Sequence, residues 1–177
     1  MFAIVVKYDE FIKLQSLTWR KNIKIRGITH TGITVKKLEK SLPFYRGFLG
    51  LEQISQQSDP VYDPNEGAAV GVPDAIIRTV LLKAATGQLI ELLEYTQPFS
   101  GVDKPMSQNT LGAHHVSFTV DDIEAWRDKL KDNSVEYNAE PKVIGPGIME
   151  GIKWLYFKDP DGIVLEFMEL PKGFKNF

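Results

Sequence analysis

The chain has 177 residues, 43% of them hydrophobic, with a formal net charge of −2 and no cysteine. That is enough apolar material for one packed core or two small fused modules, and the near-neutral charge leaves no basic footprint for nucleic acid or an anionic membrane. Without cysteine there is neither a disulfide framework nor thiolate chemistry, so histidine and carboxylate must carry any reaction, and a cytoplasmic location is expected.

Residues 1–24 read as an N-terminal extension, with a strand over 2–8 and a helix over 11–20. Lys7, Asp9 and Glu10 break the apolar start too early for a signal segment, and no later run of about 18 apolar residues is long enough to span a membrane. From residue 28 to 35 the chain alternates as a half-buried strand does, which puts His30, Gly32 and Thr34 on one face and Thr31, Ile33 and Val35 on the other. Leu38, Leu42, Tyr45 and Leu49 then recur at helical spacing, with Pro43 in the first turn and Gly50 at the C-terminal end. A strand over 51–55, a polar loop from 56 to 71, and strands over 75–83 and 88–95 complete a βαβββ unit spanning residues 25–96.

Residues 97–111, rich in Pro, Gly, Ser and Asn, read as a linker. The second unit, 112–171, repeats the order, with a strand over 115–120, a helix opening at Asp121-Asp122-Ile123-Glu124, and strands over 135–138, 153–158 and 163–170. The Gly-rich stretch 143–151 is expected to be a mobile flap, and 172–177 is a short tail. The helix-face residues Phe44, Tyr45, Trp126 and Leu130 are expected in the core, and Glu94 and Glu169 in solvent. Arg78 is expected to face either a substrate anion or water.

The two units echo one another residue by residue. Aligning His30 with His115 superposes Thr34 on Thr119, Leu38 on Ile123 and Glu39 on Glu124 at one constant offset, and Gly87–Glu94 likewise matches Gly162–Glu169. Each unit therefore opens with a His strand and closes with a Glu strand. Glu91 and Glu166 interrupt apolar runs, where a carboxylate is costly to bury unless it is paired, hydrogen-bonded or bound to a metal. Two imidazoles and two carboxylates suit one divalent ion such as Zn, Ni, Co, Mn or Fe.

These marks, together with Leu42-Pro43-Phe44-Tyr45, His114-His115-Val116 and Asp159-Pro160-Asp161-Gly162, resemble the vicinal oxygen chelate superfamily. That superfamily includes glyoxalase I, methylmalonyl-CoA epimerase, extradiol dioxygenases and the fosfomycin and bleomycin resistance proteins. The resemblance covers about residues 25–170. It implies an α+β fold in which two tandem βαβββ modules form a curved mixed sheet around a metal cavity. By the same resemblance the ligands fall on His30, Glu91, His115 and Glu166, while His114 takes a structural or supporting place. A homodimer is expected, with the four ligands supplied either by one chain or by two that exchange modules.

The implied reaction is that of a metal-dependent isomerase or lyase acting on a small carbonyl compound, with Glu166, or Glu91 loosened from the ion, as the base. An Fe(II) extradiol-type dioxygenase and a metal-free binding or resistance protein are the competing readings.

Overall fold

The structure is a computed structural model describing residues 24–98 and 100–174; the strand and helix expected over residues 2–20 lie outside the described residues. The first module contains β1 (His30–Thr34), α1 (Leu38–Leu42), β2 (Glu52–Gln53), β3 (Val61–Tyr62), α2 (Pro64–Ala69), β4 (Ile76–Lys83) and β5 (Leu89–Gln97). The second contains β6 (Val116–Val120), α3 (Ile123–Asp132), β7 (Lys142–Val143), β8 (Lys153–Lys158) and β9 (Val164–Glu169).

Both modules are wound the same way. In the first, the strand order is β1-β5-β4-β2 with β3 also on β4; in the second it is β6-β9-β8-β7. The opening strand lies parallel to the closing strand in each case, β1 on β5 and β6 on β9, and the other pairings are antiparallel. The α+β class and the duplicated topology are thus as expected. Each module forms its own mixed sheet, and β1 and β6 each lie at an outer edge.

Helices decide why the sheets stay apart. Alternation along the strands presents Ile33, Val80, Leu82, Ile90 and Leu92 to α1, and Leu155, Phe157, Leu165 and Phe167 to α3, all at most 4% exposed. The two helix-bearing faces then share one apolar cluster. Phe44 approaches Phe157 with ring centroids 6.5 Å apart, and Phe48 meets Trp126 edge-on at 6.0 Å. Tyr45 and Leu130 are fully buried, Phe44 nearly so, and Trp126 is partly buried against the same cluster, as their helical spacing implied. Burial of this kind is worth about 25 cal/mol per Å² of apolar surface, so the merged core dominates the association of the modules.

A polar latch reinforces it. The turn 159–162 of the second module accepts hydrogen bonds from the start of the first module's helix: Lys36 N to Asp161 Oδ2 at 2.7 Å, Lys40 Nζ to the Pro160 carbonyl at 3.1 Å, and the Tyr45 hydroxyl to Asp159 Oδ2 at 2.9 Å. Asp159 Oδ1 also accepts from the Asp161 and Ile163 amides. Gly162 adopts φ +86°, a left-handed conformation that glycine takes without strain. Burial pushes the Asp159 carboxyl above its ordinary range against the pull of these hydrogen bonds, and burial together with Asp159 raises the Tyr45 phenol.

Glu94 and Glu169, expected in solvent, instead hold the helix starts. Glu94 accepts from Leu38 N at 3.0 Å and Glu169 from Ile123 N at 2.8 Å, which satisfies amides that a helix cannot pair internally. Each is bridged by a cation from the neighbouring strand to a glutamate in the first turn: Arg78 links Glu94 to Glu39, and Lys153 links Glu169 to Glu124. Arg78 therefore faces neither solvent nor a substrate. The reversal follows from strand alternation, since Ile90, Leu92 and Glu94 share the helix face and a buried carboxylate requires such partners.

Four local expectations shift. The helix over 38–49 widens from Pro43 into a π-helical turn, Pro43–Phe48, because proline has no amide to donate; the Leu49 amide instead reaches Phe44 O. The helix cap is Asp122, which accepts from Ala125 N, so Glu124 is free for Lys153. The polar loop 56–71 holds β3 and α2, pieces too short to show a period. Residues 135–138 form only a bridge, Tyr137 to Phe157, and the edge strand is β7. The Gly-rich loop beyond β7 is closed at its base by Ile144 N to Ile152 O and Gly151 N to Ile144 O, leaving Ile148 exposed at its tip.

Candidate metal centre

Parallel pairing of the opening and closing strands sets the site. Glu91 lies opposite Gly32 in the β1–β5 register, two residues along from His30; Glu166 lies opposite Ser117, two residues along from His115. On both sheets these residues occupy the face turned away from the helices, where His30, Gly32 and Thr34 are exposed while Ile33 between them is buried. His30 Nε2 stands 3.3 Å from Glu91 Oε2, and His115 Nε2 stands 3.4 Å from Glu166 Oε2. The duplication thus yields two equivalent imidazole–carboxylate pairs.

Their surroundings differ. The Glu91 side chain is 24% exposed and faces Leu81 across β4; Thr29 Oγ1 lies 3.1 Å from His30 Nδ1, and a proton held there leaves Nε2 with a free lone pair. The Glu166 side chain is only 4% exposed and faces Tyr156 across β8. The Tyr156 hydroxyl lies 3.2 Å from His115 Nε2, its ring meets the imidazole edge-on at 4.9 Å, and Trp154 packs against it at 5.4 Å. Burial, then the neighbouring Glu166 charge, raises the Tyr156 phenol above its ordinary value, so it remains a hydrogen-bond donor at neutral pH. Tyr156 was not foreseen as part of the site, although its alternation with Leu155 and Phe157 and its position opposite Glu166 in a hairpin were available signals. His114 makes only a 3.4 Å contact with the Gly112 carbonyl and joins neither pair.

One chain brings His30 to Glu91 and His115 to Glu166, but it does not bring the two pairs to a common point. Among the described residues, the only three acidic or imidazole groups with ligand atoms within 4.8 Å of one another are Asp122, Glu124 and Glu169. Those three already serve as helix cap, Lys153 partner and helix-start acceptor. The His–Glu pairs do fit a divalent ion chemically: each presents an imidazole lone pair and a carboxylate oxygen to one space, with the carboxylate drawn out of water. A cavity of about 1150 Å³ lies beside the segment 103–108 and is lined by none of the four. Its lining includes Lys158 and Val164, a strand pair separated from Tyr156 and Glu166 by the buried pair Phe157 and Leu165.

Two modules of one topology each carry an imidazole and a carboxylate on adjacent parallel strands, which defines a duplicated α+β protein with one His–Glu pair per module. Residues 27–167 match the model of the glyoxalase/bleomycin resistance protein/dioxygenase superfamily, and the chain belongs to that family. It is 27% identical over 148 residues to 2-epi-5-epi-valiolone epimerase from Actinomyces sp., covering 82% of this chain and 80% of that protein. It is 29% identical over 146 residues to ethylmalonyl-CoA/methylmalonyl-CoA epimerase from Cereibacter sphaeroides, covering 81% and 97%. Its fold superposes on a glyoxalase family protein from Bacillus cereus with a TM-score of 0.70, 22% identity and coverage of 87% and 100%. A fosfomycin resistance protein from Listeria monocytogenes, solved with Mn(II), superposes with a TM-score of 0.54 at 18% identity, covering 85% and 98%. Among the described residues, no helix is long and apolar enough to cross a membrane.

Proposed function

We propose that the protein is a divalent-metal-dependent isomerase or lyase that removes a proton next to the carbonyl of a small molecule. The observation that carries this reading is the pair of imidazole–carboxylate contacts, 3.3 and 3.4 Å, at equivalent positions of the two modules. The related epimerases support the reaction type, and the manganese in the Listeria structure supports the ion. His30, Glu91, His115 and Glu166 would hold the ion, which when bound supplies Lewis acidity toward an enolate oxygen.

Because the pairs stand apart in one chain and β1 and β6 are both outer sheet edges among the described residues, the complete site is assigned to a homodimer. One protomer's β1–β5 pair would face its partner's β6–β9 pair. Such pairing would also cover edges whose amides and carbonyls otherwise invite association, and it matches the free apolar side chains just before each strand, Ile28 at 90% and Leu111 at 100% exposure.

The chain's own residues divide the work. Glu166, nearly buried between His115 and Tyr156, is the fixed carboxylate. Glu91, more exposed and without a phenol beside it, is the one free to leave its imidazole and take the proton. The test is metal analysis of protein purified without chelator, followed by incubation of the loaded protein in D₂O with 2-oxo acids and acyl thioesters. Stoichiometric metal per pair of modules and deuterium incorporation next to a carbonyl are expected. Oxygen uptake with a catechol and no exchange in any carbonyl compound would overturn the reading in favour of a dioxygenase.

A further inference from the structure

Nothing in β1 itself requires a glycine at position 32. The residue stands exposed in the middle of the strand, its φ lies outside the left-handed range that favours glycine, and a glycine there weakens a strand by leaving no side chain to pack. A Cβ built on it would meet no backbone atom beyond its chain neighbours; the one contact is Leu93 Cδ1 at 3.3 Å, the end of a flexible side chain. What the missing side chain leaves open is the space directly beside Glu91, its partner in the β1–β5 register. On the other side Glu91 faces Leu81, so neither flanking side chain offers its carboxylate a hydrogen bond. In the second module Ser117 and Tyr156 hold the corresponding places beside Glu166, both bear hydroxyls, and the Tyr156 hydroxyl donates to the Glu166 carboxylate.

We infer that Gly32 is a positioning residue for the reaction proposed above: the gap it leaves is the room into which the Glu91 carboxylate turns when it parts from His30 and the ion. The inference rests on that reading and names what makes one of two equivalent carboxylates the mobile one. Neighbouring strands lie about 4.8 Å apart, a distance that a glutamate side chain spans, so a carboxylate leaving His30 sweeps over the adjoining strand. With glycine opposite, the side chain tilts toward β1 and stays on the site face. A methyl group at that place closes the arc by van der Waals exclusion and holds the carboxylate beside His30. The second module needs no such gap, because its carboxylate is the fixed one.

The test compares the parent with Gly32→Ala, each with Glu91 intact and with Glu91→Gln. All four are loaded with Zn(II), and the release of zinc to excess chelator is timed alongside the deuterium exchange described above. Gly32→Ala is expected to slow both release and exchange about tenfold at unchanged zinc content. In the Glu91→Gln background it is expected to leave release unchanged, since a residue acting through Glu91 has nothing to act on once that carboxylate is gone. Equality of parent and Gly32→Ala in either quantity would overturn the inference while leaving the metal assignment standing. The same slowing with and without Glu91 would overturn it too, as would faster release, which would mean that the gap serves the bound ion. A parent that holds no zinc at all would sink the proposed function and this inference together. Because the new methyl approaches Leu93 Cδ1, Gly32→Ala is also combined with Leu93→Val, which removes that atom. Slow release is expected to persist, and a return to the parent's rate would assign the effect to Leu93 and refute the role of Gly32.

Discussion

The two modules share a topology and a His–Glu pattern but differ in how tightly each holds its carboxylate. In the first, Glu91 is 24% exposed and faces Leu81; in the second, Glu166 is 4% exposed and lies against Tyr156. The helix-start clamps are reversed: Glu94 is 1% exposed and bound by Lys37, Arg78 and Leu38 N, while Glu169 is 22% exposed and bound by Lys153 and Ile123 N. Duplication supplied the positions twice, and packing then specialised them. The first module is closed on its helix side and open at the site, and the second is the reverse.

Removing one carboxylate at a time breaks this comparison most sharply. Glu166→Gln is expected to abolish stoichiometric metal binding. Glu91→Gln is expected to retain most of the metal but slow proton exchange by about 10²-fold or more, the usual scale for a lost general base. Metal content and deuterium incorporation measured on the same samples decide it, and equal metal loss in both variants would erase the functional asymmetry.

The helix clamps should respond in the opposite order. Arg78→Met withdraws a cation from the buried Glu94 carboxylate and is expected to cost about 2 kcal/mol, lowering Tm by roughly 5 °C. Lys153→Met, in the more exposed clamp, is expected to leave Tm nearly unchanged. Thermal melts of both would show whether burial, and not the shared geometry, sets the energy.

The smallest effect concerns the latch between the modules. The Asp159 carboxyl is raised above its ordinary 3.8 by burial, so the folded state binds that proton more tightly than the unfolded chain. Stability from this group is therefore fully present below pH 3.8 and is lost as pH rises through the raised folded value. Asp159→Asn keeps an oxygen for the Asp161 and Ile163 amides and should remove that slope. Subtracting its denaturation free energies from the parent's across pH 4–7 isolates the effect, and parallel curves would show that the carboxyl is not strained by burial.

Much of this architecture was legible in the sequence. The period-two strands, the helix faces through Tyr45, Leu130 and Trp126, and the constant offset between His30 and His115 depend on local spacing, and local spacing survives folding. The partnering of each His with the Glu of its own module was legible for the same reason, since repeated strands must repeat their register. Three features were not. β3, α2 and the π-helical turn at Pro43 are shorter than any period that would announce them. Glu94 reads as a solvated charge, and Arg78 as facing a substrate anion or water, because a single chain segment does not reveal that a helix end will come to rest on them. Tyr156 lies in the expected strand 153–158, but the place of its hydroxyl beside His115 follows only from the β8–β9 register.

The sequence by itself determined that the fold is built twice and that each copy carries one imidazole and one carboxylate, because residue identity and alternation are properties of a strand before it pairs. Only the tertiary structure decided where those copies sit. Apolar surface on α1, α3 and both sheets is buried most completely when the helix faces meet, and that packing turns the two His–Glu faces outward and apart.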